Sequence, residues 1–270
     1  MKFLREFCAC IAGILLFSYS SLAFAGAWTL DPNTRNVIST TIIDRADQVF
    51  GPDIVGSNPN FSKFESGLYI EQGIAEGITL IGQSSLQTVS FNNGVEQVSF
   101  NGFGNSSLGI RYGLSRSDKQ VVSVELHGVV SAGGEDVPDG DLGRGGLSID
   151  ARILYGRNFK LAGKPGFLDV QLGIRPRLNS DPLEWRSDIS AGVRLNDKLM
   201  VIGQSFYTQS NGTVRDPLDP VFATESLKGQ LSLVYWAKPK LGLQFGAFTT
   251  LAGRNVVKEE ALVLGVWQRY

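Results

Sequence analysis

Apolar and polar side chains alternate strictly along this chain, in segments of about ten residues that recur from end to end. In VVSVELHGVVS, residues 121–131, Val122, Val124, Leu126, Gly128 and Val130 fall on one side. Ser123, Glu125, His127 and Ser131 fall on the other. In FLDVQLGIRPR, residues 167–177, Leu168, Val170, Leu172 and Ile174 oppose Asp169, Gln171, Gly173 and Arg175. In residues 187–195, Ile189, Ala191, Val193 and Leu195 oppose Asp188, Ser190 and Arg194. A period of two belongs to a β-strand with one apolar and one polar face, and it excludes an amphipathic helix.

About twelve such segments follow one another. They start near Val37, Phe61, Ile78, Gly104, Gln120, Leu147, Phe167, Glu184, Leu199, Glu225, Leu241 and Glu259. The connections alternate in length. Those at residues 75–77, 115–119, 161–166, 196–198 and 238–240 are tight. Those at residues 51–60, 92–103, 132–146 and 209–224 are longer and rich in Gly, Asp, Asn and Pro. Short and long connections in turn are the pattern of up-and-down hairpins whose two ends meet different surroundings.

Alternation alone fits a soluble sandwich, with its apolar face as core, or a membrane barrel, with its apolar face toward lipid. Four features select the barrel. The strands are long enough to cross a bilayer at a tilt. Tyr112, Trp185, Tyr155, Tyr235 and Tyr270 have the apolar parity near strand ends, where interfacial girdles form. Charged residues keep the polar parity in mid-strand. The strand count is even, which puts both ends of the sheet's chain on one side. The fold expected is therefore all-β: a transmembrane antiparallel up-and-down barrel of about twelve strands.

The first residues read differently. MKFLREFCACIAGILLFSYSSLAFA has Lys2 and Arg5, an apolar run, and Ala23-Phe24-Ala25 before Gly26. This is the pattern of a cleaved export signal over residues 1–25, leaving residues 26–270 as the barrel. Both cysteines, Cys8 and Cys10, lie in that segment, so no disulfide, zinc-thiolate or cysteine nucleophile is expected in the barrel. The net charge of −1, from balanced acids and bases, argues against a nucleic-acid partner.

The chain ends ALVLGVWQRY, with Leu262, Leu264 and Val266 alternating toward Tyr270. This resembles the terminal signature of Gram-negative outer-membrane β-barrels, with Gln268 standing where an apolar residue is more usual. The resemblance implies that Tyr270 is an assembly signal read by the barrel-assembly machinery. It also implies outer-membrane lipid and lipopolysaccharide as surroundings, with periplasmic termini. GLYIEQGIAEGITLIGQ, residues 67–83, and SSLGIRYGL, residues 106–114, are similar to a hairpin pattern of uncharacterised proteobacterial barrels associated with the phenol meta-pathway.

By parity, Glu65, Glu71, Arg111, Glu125, His127, Asp150, Arg152, Asp169, Arg175, Arg177, Glu184, Arg186, Asp188 and Arg194 point inward. Arginines concentrate on three consecutive segments. Glu65 and Glu71 are expected across the lumen from Arg186 and Arg194, an arrangement that would impose a transverse field on a solute. The carboxylates sharing those segments allow a second arrangement, salt-bridge ladders that brace the barrel. The single histidine, His127, has Glu125 two residues away but Val129 where a strand-borne serine nucleophile would be required, so a hydrogen-bonded lumenal histidine is expected. The acidic loop of residues 133–146 does not have EF-hand spacing and reads as a solvated loop. No catalytic residue, metal or cofactor is assigned. The expected function is a passive channel for small solutes with modest anion preference. The alternatives are a non-porous structural or adhesive barrel and, less favoured, an outer-membrane lipid hydrolase.

Overall fold

The computed structural model describes residues 26–51, 59–92, 97–131, 146–176, 178, 183–211, 213–216, 219–221 and 223–270. The expected export signal, Arg177 and the acidic loop at 132–145 lie outside these residues.

The strands are β1 (Arg35–Ala46), β2 (Phe61–Ala75), β3 (Ile78–Asn92), β4 (Gln97–Phe103 continued by Ser106–Arg116), β5 (Gln120–Ser131) and β6 (Gly146–Leu161). They continue as β7 (Lys164–Arg175), β8 (Glu184–Arg194), β9 (Leu199–Ser210), β10 (Thr224–Lys238), β11 (Leu241–Arg254) and β12 (Glu260–Arg269). Each pairs antiparallel with the next, and β12 pairs with β1, so the sheet closes into a barrel of twelve strands. The closing register runs from Asn36↔Arg269 to Arg45↔Glu260. It is completed by Tyr270 N donating to Arg35 O at 2.9 Å and Arg35 N donating to Tyr270 O at 3.2 Å. No helix occurs among the described residues.

Turn chemistry explains the short connections. Ala162 and Gly163 both have positive φ, 49° and 78°, the type I′ geometry that matches strand twist in a two-residue hairpin. Asn196 Oδ1 accepts from the backbone N–H groups of Lys198 and Leu199, at 2.9 and 3.0 Å, and so closes the turn before β9.

Residues 92–103 differ from the expected loop. Gln97–Phe103 is a strand, pairing with β3 from Asn92↔Gln97 to Leu86↔Phe103. After a break at Gly104 and Asn105 the chain resumes pairing with β3 through Ser107↔Gln83. Scattered Asn and Gly blur the period in this stretch. The neighbouring strand supplies the pairing that local propensity does not. Within residues 209–224, Thr213–Asp216 and Asp219–Val221 form a small hairpin.

The alternation separates two faces. Val121, Ser123, Glu125, His127 and Val129 are buried inside the barrel, while Val124, Leu126 and Val130 are exposed on its outer surface. Leu172, Ile174, Ile189, Leu231, Phe245 and Leu262 extend the outer apolar face, with Tyr112, Trp185, Tyr235 and Tyr270 toward its margins. Inside, Phe167, Met200, Ile202, Val234 and Trp236 pack together near the short turns. Ala46, Phe61, Val89, Phe91 and Val257 do so at the opposite end.

The two faces should respond oppositely to charge. Leu172→Arg puts a cation on the outer face in mid-strand, at a cost of about 2–4 kcal/mol in a bilayer. Thr208→Asp places a carboxylate inside, across from its register partner Arg186. In a gel assay for heat-modifiable folded barrel, the Arg variant should be depleted and the Asp variant retained. Similar behaviour of the two would refute the inside–outside assignment.

Candidate functional site: the charged lumen

The inward side chains of β2, β4 and β5 form one compact network. Arg111 donates to Glu71 Oε1 at 2.7 Å and to Glu125 Oε2 at 2.8 Å. Glu71 also accepts from Tyr69 Oη at 2.9 Å and from Asn36 Nδ2 at 3.1 Å. His127 Nε2 lies 2.6 Å from Glu125 Oε1. The arrangement follows from register, since Arg111 stands opposite Glu125, and His127 follows one pleat later. Asn36, Glu71, Arg111, Glu125 and His127 are buried, and Tyr69 is partly so. An arginine held this way is positioned to brace neighbouring strands.

A second network spans β6, β7 and β8. Asp150 accepts from Arg152 at 2.8 Å, Arg175 at 2.7 Å and Arg186 at 3.3 Å. Arg152 also reaches Asp188 at 2.8 Å and Gln171 Oε1 at 3.1 Å. Arg186 Nε lies 3.3 Å from Glu184. Gly173 explains the reach of Arg152, because it occupies the row between β6 and β8, where a Cβ would stand 2.8 Å from Arg152 Cγ. The glycine lets the guanidinium cross β7 to Asp188.

A third group closes the long-loop end. Lys63 lies 3.6 Å from both Asp44 and Glu259 and 3.8 Å from Glu65, and Lys228 pairs with Glu259. At the short-turn end, Arg194 and Arg269 lie over the Trp236 ring, 5.9 and 4.1 Å from its centroid. Glu65 and Glu71 therefore do not front an open lumen as free carboxylates opposite Arg186 and Arg194. They are held by Lys63 and Arg111.

Two inward features escape a reading of charged residues alone. The first is a neutral hydrogen-bonded belt across β8 to β12. Gln204 donates to Ser190 at 3.0 Å, and Gln230 donates to Gln204 at 3.0 Å and to Ser232 at 3.1 Å. Gln244 donates to Ser232 at 3.0 Å and accepts from Trp267 Nε1 at 2.8 Å. Its sequence signal was the recurrence of Gln and Ser at inward parity. The second is that residues 26–31 lie inside the barrel. Ala27 N donates to Asp169 Oδ2 at 2.6 Å, and Ala27 O accepts from Ser123 Oγ at 2.8 Å.

No family model and no curated protein matches this sequence. Solved structures do. The COG4313 outer membrane channel from Pseudomonas putida F1 superposes with a TM-score of 0.74 at 14% identity, over 93% of this chain and 100% of that one. The NanC porin gives 0.51 at 10% identity over 85% and 98%. The KdgM porin gives 0.51 at 6% identity over 86% and 98%. The fold is that of outer-membrane β-barrels. The translocator domain of the autotransporter NalP from Neisseria meningitidis is also similar, at TM-score 0.51 and 11% identity, over 98% of this chain and 94% of that one. The architecture therefore does not prescribe one activity.

Asp150 is the hub on which three guanidiniums converge. Its side chain is 2% exposed, against 18% for Asp188. Asp150→Ala strands buried cations and should cost about 3–5 kcal/mol. Asp188→Ala should cost about 1 kcal/mol or less, because water reaches its site. Urea unfolding of the two variants in lipid vesicles checks the ranking. A larger loss for the Asp188 variant would remove Asp150 from the centre of the network.

Proposed function

We propose that this chain is an integral outer-membrane channel for passive passage of small solutes, with modest preference for anions. Residues 1–25 act in this reading as a cleaved export signal, and both ends of the barrel chain face the periplasm. The observation that carries the proposal is the unequal burial of partners in the lumen. Asp150 is 2% exposed, while Arg186, which shares it, is 25% exposed. Glu259 is 7% exposed and Lys228 is 31% exposed. In these two pairs the carboxylate is the deeper partner and the cation the more exposed one, whereas Glu125 and Asp188 are slightly more exposed than Arg111 and Arg152. At Arg186 and Lys228, water and solute meet the cationic end of the pair first, and ordered charge at a narrow point sets selectivity through weakly screened Coulomb interactions. The similarity to channels and porins supports the same reading at the level of fold.

A barrel without a through passage is the second reading, favoured by the dry Glu71–Arg111–Glu125 network and by residues 26–31 inside the wall. Planar-bilayer recording separates the two. Discrete conductance steps are expected, with a reversal potential across a salt gradient that reports anion preference. Arg175→Gln with Arg186→Gln should lower the anion-to-cation permeability ratio. A folded wild-type barrel that passes no current would leave the non-porous reading standing.

Assembly gives a further check. Tyr270 is exposed at the end of the closing seam, which suits recognition by the barrel-assembly machinery. Deleting it should reduce the heat-modifiable folded form in the outer membrane and increase periplasmic proteolysis. Undiminished folded protein would rule out its role as the signal.

A further inference from the structure

Residues 26–31 make more contacts with the lumen wall than a passing linker requires. Besides the bonds of Ala27, Leu30 N donates to Thr79 Oγ1 at 2.8 Å, and Arg111 donates to Trp28 O at 3.1 Å. Ala27 packs with Val121 and Leu154, and Trp28 lies against them. The Trp28 ring occupies the space above Gly156, where a side chain would collide with it. The segment thus has a fitted seat on β3 to β7.

One group in that seat is left without a charge partner. Asp169 is 2% exposed and accepts from Ala27 N and from Gln171 Nε2 at 2.8 Å. Among the described residues, no lysine or arginine makes a salt bridge to it. A buried carboxylate that stays ionised is stabilised by an opposite charge as well as by hydrogen bonds. Gly26 supplies the position for one. A Cβ built on it would stand 2.6 Å from Asp169 Oδ2 and 3.3 Å from Oδ1, so the Gly26 Cα faces the carboxylate and an amine freed on that Cα can turn toward it.

We propose that Asp169 is a binding site for the chain's own processed amino terminus, the α-ammonium of Gly26, and that this ion pair locks residues 26–31 in the lumen as a plug. The pairing rests on the proposed cleavage after Ala25, and its consequence, closure of the passage, rests on the channel reading. A signal peptidase hydrolyses the Ala25–Gly26 amide. Water contributes its hydroxyl to the Ala25 carbonyl carbon, leaving a carboxylate, and protons to the Gly26 nitrogen, leaving an ammonium. The counter-charge of Asp169 comes into being only at that step, so a complete plug marks a processed chain.

The test uses the full-length protein expressed with its export signal and purified folded from outer membranes. Terminal sequencing should read Gly-Ala-Trp, and any other start overturns the proposal. Acetylation of the terminal amine by a small succinimidyl ester, followed by mass spectrometry, should be about tenfold or more slower in the folded barrel than in the urea-unfolded chain, because a paired ammonium is held in its unreactive form. Asp169→Asn should recover most of that rate. Inserting Gly-Ser between Ala25 and Gly26 moves the amine past Asp169 and should do the same, which keeps the test decisive if the Asn variant fails to fold. Equal protection in folded wild type and either variant overturns the pairing. Conductance of the same samples is recorded separately. Silence in all of them removes the channel reading while the labelling still reports on the amine.

Discussion

Every backbone N–H and C=O of a strand that meets lipid must find its partner inside the protein, because hydrocarbon offers none. In this molecule that requirement is met by the seam between β1 and β12, where the first strand of the sheet bonds to the last from Asn36 to Arg45. Without the seam two strands would expose open edges. With it, the sheet has an inside and an outside, and the alternation of the sequence acquires its meaning. Large apolar outward residues and girdle aromatics follow from one side of that division, and the charged networks follow from the other.

The interior then faces its own constraint. Charges brought into a narrow enclosure are destabilising unless paired, and the barrel pairs them by register. Its wall is divided in kind. From β2 to β8 the inward face is dominated by ion pairs, anchored by Arg111 and Asp150. From β8 to β12 it carries the neutral Gln and Ser belt, above a patch of Phe167, Met200, Trp236 and Trp267. Residues 26–31 sit on the charged side, where they add backbone hydrogen-bond partners to the network. Between Lys228 toward one end and Arg194 and Arg269 toward the other, the middle of that wall hydrogen-bonds without holding fixed charge.

Much of this fold was legible because a strand's period is a local property. The segments beginning at Phe61, Ile78, Gln120, Glu184, Leu199 and Leu241 are strand starts in the structure. The inward parity of Glu71, Arg111, Glu125 and Asp150 follows from the same pattern. What was not legible depends on neighbours. Gln97–Phe103 becomes a strand because β3 offers it a ladder, while its own Asn and Gly residues point to a loop. The choice between a transverse field and salt-bridge ladders turned on which strands touch. Arg152 crosses to Asp188 over Gly173, whose missing side chain leaves room for its stem, a relation across three strands that no single segment encodes. The inserted segment had no periodic signal, since residues 26–31 are not part of the sheet.

The seam also imposes an order in time. Asn36 leaves the ribosome long before Arg269 exists, yet neither can complete its ladder without the other. Every hairpin in between is a local affair of adjacent strands, but closure is the contact of greatest sequence separation, the kind that is slowest to form. Until it forms, the nascent molecule is an open sheet with two sticky borders and an apolar face turned to water. The chain must therefore be kept from its own kind between synthesis and membrane, and the residues of the closing strand are the ones that end its vulnerability.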